Sequence, residues 1–203
     1  MAQIRNDRPR RHSRDDYLTK DELQTLYKAC TDIDDRLLIC ATGQLGMRVG
    51  EVAHLQKDWI DFQDDRIHIP SSIPCACFEC RRRDNAWTVK TPAGARSIPF
   101  RHFPTTREVL KGYFGAFDAV AKSRRALQLR LKRIAKRAGM TKKVYPHALR
   151  ATAGMMFANA GLSAQGLCEV MGWEDLRTAQ AYIARSGRTA AKEIEAHQTE
   201  FVL

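Results

Sequence analysis

Six side chains in this sequence are of the types, and fall in the order, that could break a phosphodiester without a metal ion. They are Arg48 in GQLGMRVGEVAHL, Lys90 in TVKTPAGARSIPF, His147 and Arg150 in YPHALRATAG, and Trp173 and Tyr182 in MGWEDLRTAQAYI. Tyr182 offers a phenol oxygen as nucleophile. With an ordinary pKa of about 10, a phenol needs a base or cationic neighbours to attack at neutral pH. Arg48 and Arg150 would supply fixed positive charge, and a guanidinium binds two phosphate oxygens at once. A phosphodiester under attack gains negative charge on its non-bridging oxygens. Cations already in place there stabilise the transition state, and losing one such donor costs about 3–4 kcal/mol of barrier. His147 and Arg150, three apart on a helix, face the same side, and His147 is a candidate for proton transfer. Trp173 can only donate, through its indole N–H, so it can hold an oxygen but cannot relay a proton. Lys90, beside a turn, is a candidate general acid for a leaving 5′ oxygen.

Each part is weak alone. An HxxR pair is more often solvent-facing than catalytic, a tyrosine at helical apolar spacing is usually core, and a lysine beside a turn is usually solvated. Their order on one basic chain carries the reading. The 203 residues hold 34 Lys and Arg against 23 Asp and Glu, a formal net charge of +11. That imbalance favours a polyanionic partner, nucleic acid before a membrane surface. No apolar run has the length of a membrane span, and the N-terminus lacks the apolar stretch of a signal peptide.

The elements that must position these residues are legible in outline. Residues 1–16 are polar and arginine-rich and read as a flexible basic arm; residues 17–203 read as one domain. Thr19 and Glu22 form a capping box, with Leu18 and Leu23 at the staple positions. A second helix is expected over about 34–44 and a third from near Met47, carrying Arg48 and Glu51. Alternating residues at 59–62 and 66–69, and at 86–89 and 96–99 around the turn Pro92-Ala93-Gly94-Ala95, predict two hairpins. Helical patterns follow near 106–117, 123–137, from Pro146 to Gly161, and over 163–171, 175–185 and 189–201. The fold class expected is α+β, mainly helical, with a small antiparallel sheet near 58–100. The helix over 123–137 and the loop after it carry Arg124, Arg125, Arg130, Lys132, Arg133, Lys136, Arg137, Lys142 and Lys143, with no acidic residue from 124 to 143. A run of one sign repels itself unless a polyanion binds, so these nine are candidate contacts to a DNA backbone.

The four segments quoted above, in this order, resemble the motifs of the tyrosine recombinases, the phage integrase family: the first arginine motif, the β-hairpin lysine, the HxxR box and the tyrosine box. The resemblance spans roughly 17–186. It implies an integrase-like catalytic core in which Arg48, Lys90, His147, Arg150, Trp173 and Tyr182 are catalytic and Glu51 supports the first arginine. It further implies a 3′-phosphotyrosyl intermediate, no metal or nucleotide in the reaction, double-stranded DNA with specific attachment sites as partner, and a homo-tetramer on that DNA in the cytoplasm of a prokaryotic host. Two departures stand out. Trp173 replaces the commoner histidine, and only about sixteen residues stand where the family has an N-terminal core-binding domain. Two other readings use the same residues: a non-catalytic DNA-binding module, and a DNA-relaxing enzyme of the type IB topoisomerase kind.

Six cysteines are present. Cys30, Cys40 and Cys168 sit singly in helical patterns, where a free thiol behaves as a small apolar residue. Cys75, Cys77 and Cys80 lie together between two expected strands. Three thiols in one short loop are a plausible start for a structural zinc site, with His68 and His102, which flank the hairpin, as candidate fourth ligands.

Overall fold

The computed structural model describes residues 16–187 apart from 83, together with 191 and 195. The basic arm, but for its last residue, and the helix expected over 189–201, but for residues 191 and 195, lie outside the described residues. The chain opens on helix α1 (Lys20–Lys28), closed at its start by the expected box: the Thr19 hydroxyl accepts the Glu22 N–H at 3.2 Å and the Glu22 carboxylate accepts the Thr19 N–H at 2.7 Å. Leu18 and Leu23 are both buried beside it.

Helix α2 (Ile33–Ile39), capped by Asp32, widens over Cys40–Gln44 into a π-helical turn in which the Leu45 N–H reaches the Cys40 carbonyl at 3.1 Å. The Thr42 hydroxyl bonds the Leu38 carbonyl at 2.6 Å and so competes with the helical ladder there. Gly46 follows at φ +66°. A Cβ at Gly46 would lie 2.6 Å from the Met171 sulfur, so only glycine lets the chain turn here against the helix that carries Met171. Helix α3 (Val49–Ala53) then begins one residue after Arg48, which is its N-cap rather than a helical residue.

The β region differs from the expected pair of hairpins. Strands β1 (Ile60–Asp61) and β2 (Arg66–Ile69) pair antiparallel as expected. The second hairpin does not form. Strand β5 (Arg96–Pro99) pairs with β2, in the register Ile67 opposite Ile98. Strand β4 (Ala86–Thr88) pairs instead with β3 (Ser72–Pro74), a strand absent from the sequence reading, in a separate two-stranded sheet. The cysteine segment, with the short helix α4 (Phe78–Arg81), is the connection of that β3–β4 hairpin. Turn residues at 92–94 therefore join two sheets, not two paired strands.

Helices α5 (Pro104–Ala116), α6 (Arg124–Arg137), α7 (Pro146–Ala160), α8 (Ala164–Met171) and α9 (Leu176–Ser186) complete the described fold. Ser123 caps α6, Gly161 ends α7 and Gly172 ends α8, both glycines left-handed. The main core joins Leu26, Leu37, Leu38 and Ile39 to Ile67 and Ile98 of the sheet and to Tyr113, Phe114 and Leu131. Each such side chain contributes about 1.5–3 kcal/mol by burial. A second, smaller core lies among α7, α8 and α9 and includes Met155, Phe157, Leu167, Met171 and Tyr182. Among the described residues no helix is long and apolar enough to cross a membrane.

Candidate active site

The C-terminal end of α8 organises the site. A helix end leaves its last carbonyls without intrahelical partners and carries partial negative charge. The N–H groups of Gly172 and Trp173 take the Cys168 carbonyl. Three arginines from three other elements take those that follow. Arg96 Nε donates to the Val170 carbonyl at 2.8 Å, Arg150 Nη2 donates to the Met171 carbonyl, and Arg48 Nη2 donates to the Gly172 carbonyl at 2.7 Å. Arg150 also donates to the Gly46 carbonyl, which the π-turn and the left-handed Gly46 present to it.

One carboxylate serves this cluster. Glu51 accepts from Arg48 Nη1 at 2.9 Å and from Arg96 at 2.9 and 3.0 Å, and its second oxygen takes the Arg48 backbone N–H at 2.7 Å. Glu51 is 2 % exposed and Arg150 7 %, so these charges act in a medium that screens them poorly. Burial alone would raise the Glu51 pKa. The Arg96 hydrogen bonds, and the charges of Arg96, Arg150 and Arg48, outweigh it and hold the carboxyl below its ordinary range. Burial pushes the Arg150 guanidinium down, with the charges of Arg48 and Arg96 adding to the effect, yet a guanidinium stays protonated. Arg96 was not foreseen. Its side chain is 5 % exposed, and the available signal was an arginine on an expected strand.

Tyr182 sits on α9 at 5 % exposure. Trp173 lies flat on it, with ring centroids 5.0 Å apart at 23°, and the Arg150 guanidinium lies 6.0 Å from the Trp173 ring. Gly154 on α7 makes that stack possible: a Cβ there would lie 3.1 Å from Tyr182 and 3.2 Å from Trp173. Tyr182 is among the groups whose charge acts on Arg150.

His147 stands at the start of α7, open to solvent on one side. Desolvation by the surrounding protein lowers its pKa, and Arg150, Lys90 and Arg48 lower it further, so the ring is neutral at neutral pH and able to accept a proton. That influence also places Lys90 toward the site, although its side chain is exposed. The turn after Lys90 rests on the end of α8, where a Cβ on Gly172 would meet the Ala93 carbonyl at 2.7 Å.

The nine candidate DNA contacts divide. Arg130 binds Asp32, Asp34 and Asp35, Arg137 binds Asp35, Arg124 binds Glu79 at 2.6 Å, and Lys142 binds Glu22 at 2.9 Å. These four meet acids remote in sequence: α6 is braced to residues 32–35 and to the cysteine insertion, and the loop after it to α1. Arg125, Lys132, Arg133, Lys136 and Lys143 are exposed, and Lys143 lies 5.7 Å from the Tyr145 ring.

The cysteine cluster closes on a different histidine from the two considered. His54, the C-cap of α3, lies with Cys75, Cys77 and Cys80 so that all four donor atoms fall within 4.8 Å of one another. His68 is engaged elsewhere, with Nδ1 2.7 Å from the Ser97 hydroxyl, and neither it nor His102 belongs to the group.

A mainly helical domain with a small sheet, holding a buried tyrosine beside arginines in excess over carboxylates, is a fold and site of one class. The chain belongs to the phage integrase family, whose match covers residues 16–188. The tyrosine recombinase XerC of Xylella fastidiosa strain M23 is 25% identical over 175 residues, 81% of this chain and 54% of that protein. XerC of Xanthomonas axonopodis pv. citri strain 306 is 36% identical over 74 residues, 36% of this chain and 24% of that protein. The chain thus spans about half the length of the first of these relatives. In fold it is similar to the XerA recombinase, with a TM-score of 0.69 at 19% identity over 91% of this chain and 66% of that one. It is also similar to the catalytic domain of bacteriophage HP1 integrase, with a TM-score of 0.60 at 15% identity over 89% and 93%.

Proposed function

We propose that this domain cuts and rejoins DNA strands as the catalytic part of a site-specific recombinase. The observation that carries the reading is the convergence of Arg48 and Arg150 on the end of α8 beside the stacked Trp173 and Tyr182. Neutral carbonyls orient Arg150, and Arg48 is held by a carbonyl and by Glu51, whose single charge leaves the cluster net positive for the scissile phosphate. The Tyr182 oxygen attacks phosphorus, His147 accepts the phenol proton, and the P–O5′ bond breaks as Lys90 protonates the leaving oxygen. A 3′-phosphotyrosyl link remains, and reversal with another 5′ hydroxyl rejoins the strand. The reaction needs no metal. Trp173 acts as a wall for Tyr182 and a donor to the phosphate. Glu51 and Arg96 hold Arg48 in place.

DNA is the partner, and the exposed Arg125, Lys132, Arg133, Lys136 and Lys143 track its backbone. Support comes from relatives of like fold, among them the Tn1549 transposon integrase in complex with transposon right end DNA, at TM-score 0.63 and 18% identity. Recombination between specific sites by a homo-tetramer in the host cytoplasm completes the reading. A non-catalytic module or a relaxing enzyme is less favoured, because Arg48 and Arg150 meet at the end of α8 beside Tyr182 and the curated relatives are tyrosine recombinases.

The test uses nicked duplexes of randomised sequence, in which cleavage releases a short strand and traps the covalent complex. Wild type gives a protein–DNA adduct on a denaturing gel, Tyr182→Phe gives none, and sequencing the trapped DNA yields the preferred site. No adduct from a wild type that still shifts duplex on a native gel sinks the catalytic reading. Relaxation of a supercoiled plasmid lacking the trapped site would favour the relaxing enzyme.

A further inference from the structure

We propose that His54, Cys75, Cys77 and Cys80 bind one zinc ion, and that this ion clips the β3–β4 hairpin to the end of α3. The inference does not depend on the strand-cutting reading. The donor set is complete: three thiols and one imidazole, the number and kind that a closed tetrahedral zinc site takes. Soft sulfur ligands with imidazole select zinc over hard cations.

The spacing fits. With Zn–S of about 2.3 Å and Zn–N of about 2.0–2.1 Å, a tetrahedron sets sulfur and nitrogen about 3.6 Å apart. His54 Nε2 lies 3.6 Å from Cys77 Sγ and 3.4 Å from Cys80 Sγ. The backbone N–H of Cys77 points at Cys75 Sγ at 3.5 Å, a donor suited to a metal-bound thiolate.

The histidine is prepared for the role. His54 Nδ1 lies 2.8 Å from the Gly50 carbonyl, which makes Nδ1 the protonated nitrogen and leaves Nε2 a lone pair facing the sulfurs. A backbone carbonyl behind a ligating imidazole is the usual device for fixing ring and tautomer. Trp87 of β4 stacks on the other side, centroids 5.4 Å apart at 22°.

The location says what the ion does. A lone two-stranded hairpin is marginal in water, and β3–β4 is paired to no other strand among the described residues. Its far end carries the cysteines, and two residues past β4 stands Lys90. Helix α3 has Arg48 as its N-cap and His54 as its C-cap. The ion therefore ties the strand that leads to Lys90 to the short helix that starts at Arg48.

Untagged chain purified with its thiols reduced should release one zinc per molecule, read with a metallochromic dye, when a mercurial reagent blocks the thiols. Cobalt in its place should give the intense visible bands of a tetrahedral ion with thiolate charge transfer. His54→Cys should keep one metal with shifted bands, Cys77→Ser should lose it, and Cys168→Ser should keep it unchanged. Chelation should speed amide exchange over 49–54 and 72–88 while sparing α8. Zinc well below one per chain, a disulfide among the three cysteines, or an octahedral cobalt spectrum would overturn the site. These wild-type readings stand even if a variant fails to fold. Unchanged exchange in metal-free protein would overturn the clip.

Discussion

Two arginine clusters in this molecule look alike in sequence and behave oppositely. At the end of α8 stand three guanidinium groups, Arg48 and Arg96 bound to the single carboxylate of Glu51 and Arg150 bound to carbonyls, which leaves two positive charges in excess. Between α6 and α2, Lys122, Arg130 and Arg137 face Asp32, Asp34 and Asp35, three against three. In the first, carbonyl dipoles and one carboxylate hold the cations and leave net positive charge to act on something that arrives. In the second, carboxylates cancel the charge and the result is a cross-brace. A cluster with more guanidinium groups than carboxylates keeps positive charge for a phosphate, whereas one with equal numbers does not.

Removing a cation from each cluster breaks the comparison most sharply. Arg150→Ala should lower cleavage per folded molecule by about 10²–10³-fold, as when one preorganised donor to a transition state is lost. Arg130→Ala should do the reverse. It leaves Asp35, 1 % exposed, with only one of its two arginine partners, which costs about 1–3 kcal/mol of stability. Denaturant unfolding should register that loss while trapping of the phosphotyrosyl adduct proceeds at the normal rate. A catalytic defect in Arg130→Ala without a stability change would erase the distinction.

Gly154→Ala probes the geometry of the catalytic cluster rather than its charge. The new methyl must displace Tyr182 and Trp173 by a few tenths of an ångström. Because a 1 Å misplacement costs about 10²-fold, a loss of about tenfold in cleavage is expected. Duplex binding on native gels should not change.

What could be read in the sequence follows the distance over which each signal acts. The Thr19–Glu22 box, the glycine end of α7 and the placement of His147 and Arg150 on one helix are local, and the structure has each as expected. Long-range pairing was not legible. Strand β4 and strand β5 flank a good turn, yet each finds a better partner elsewhere, because Ile98 opposite Ile67 closes the main core while Trp87 packs on Trp59 and His54. His54 lies twenty-one positions before Cys75, on a different element, so no motif spacing ties it to the cysteines. The acids that meet Arg130 and Arg137 were not legible for the same reason, since they stand 95–102 positions away.

The pH response separates the clusters more gently. His147 has its pKa lowered from an ordinary 6.5. Between its folded and unfolded pKa values the unfolded chain binds more protons than the native one. Stability from this group is therefore full above 6.5 and falls as pH drops below it. Cleavage should follow the same direction, since a protonated His147 cannot accept the Tyr182 proton, and His147→Gln should remove that acidic limb. Glu51 and Asp32 have folded pKa values below their ordinary ones, so both clusters keep their carboxylates ionised through this range and lose stability only in stronger acid.

The smallest effect belongs to the cations that neither cluster uses. Arg125, Lys132 and Lys136 fall close to one line along α6, as spacings of seven and four residues require, and all three are exposed. If that line follows a DNA backbone, each contact releases condensed counterions. Replacing Lys132 by alanine should then weaken binding about equally for every sequence and reduce the slope of log affinity against log salt by about one. Arg130→Ala supplies the control, because a guanidinium already neutralised by aspartates has no counterion to release from DNA and should leave the slope unchanged. Equal slope changes in the two variants would mean that DNA draws Arg130 out of its brace, and α6 would then act as a single basic face.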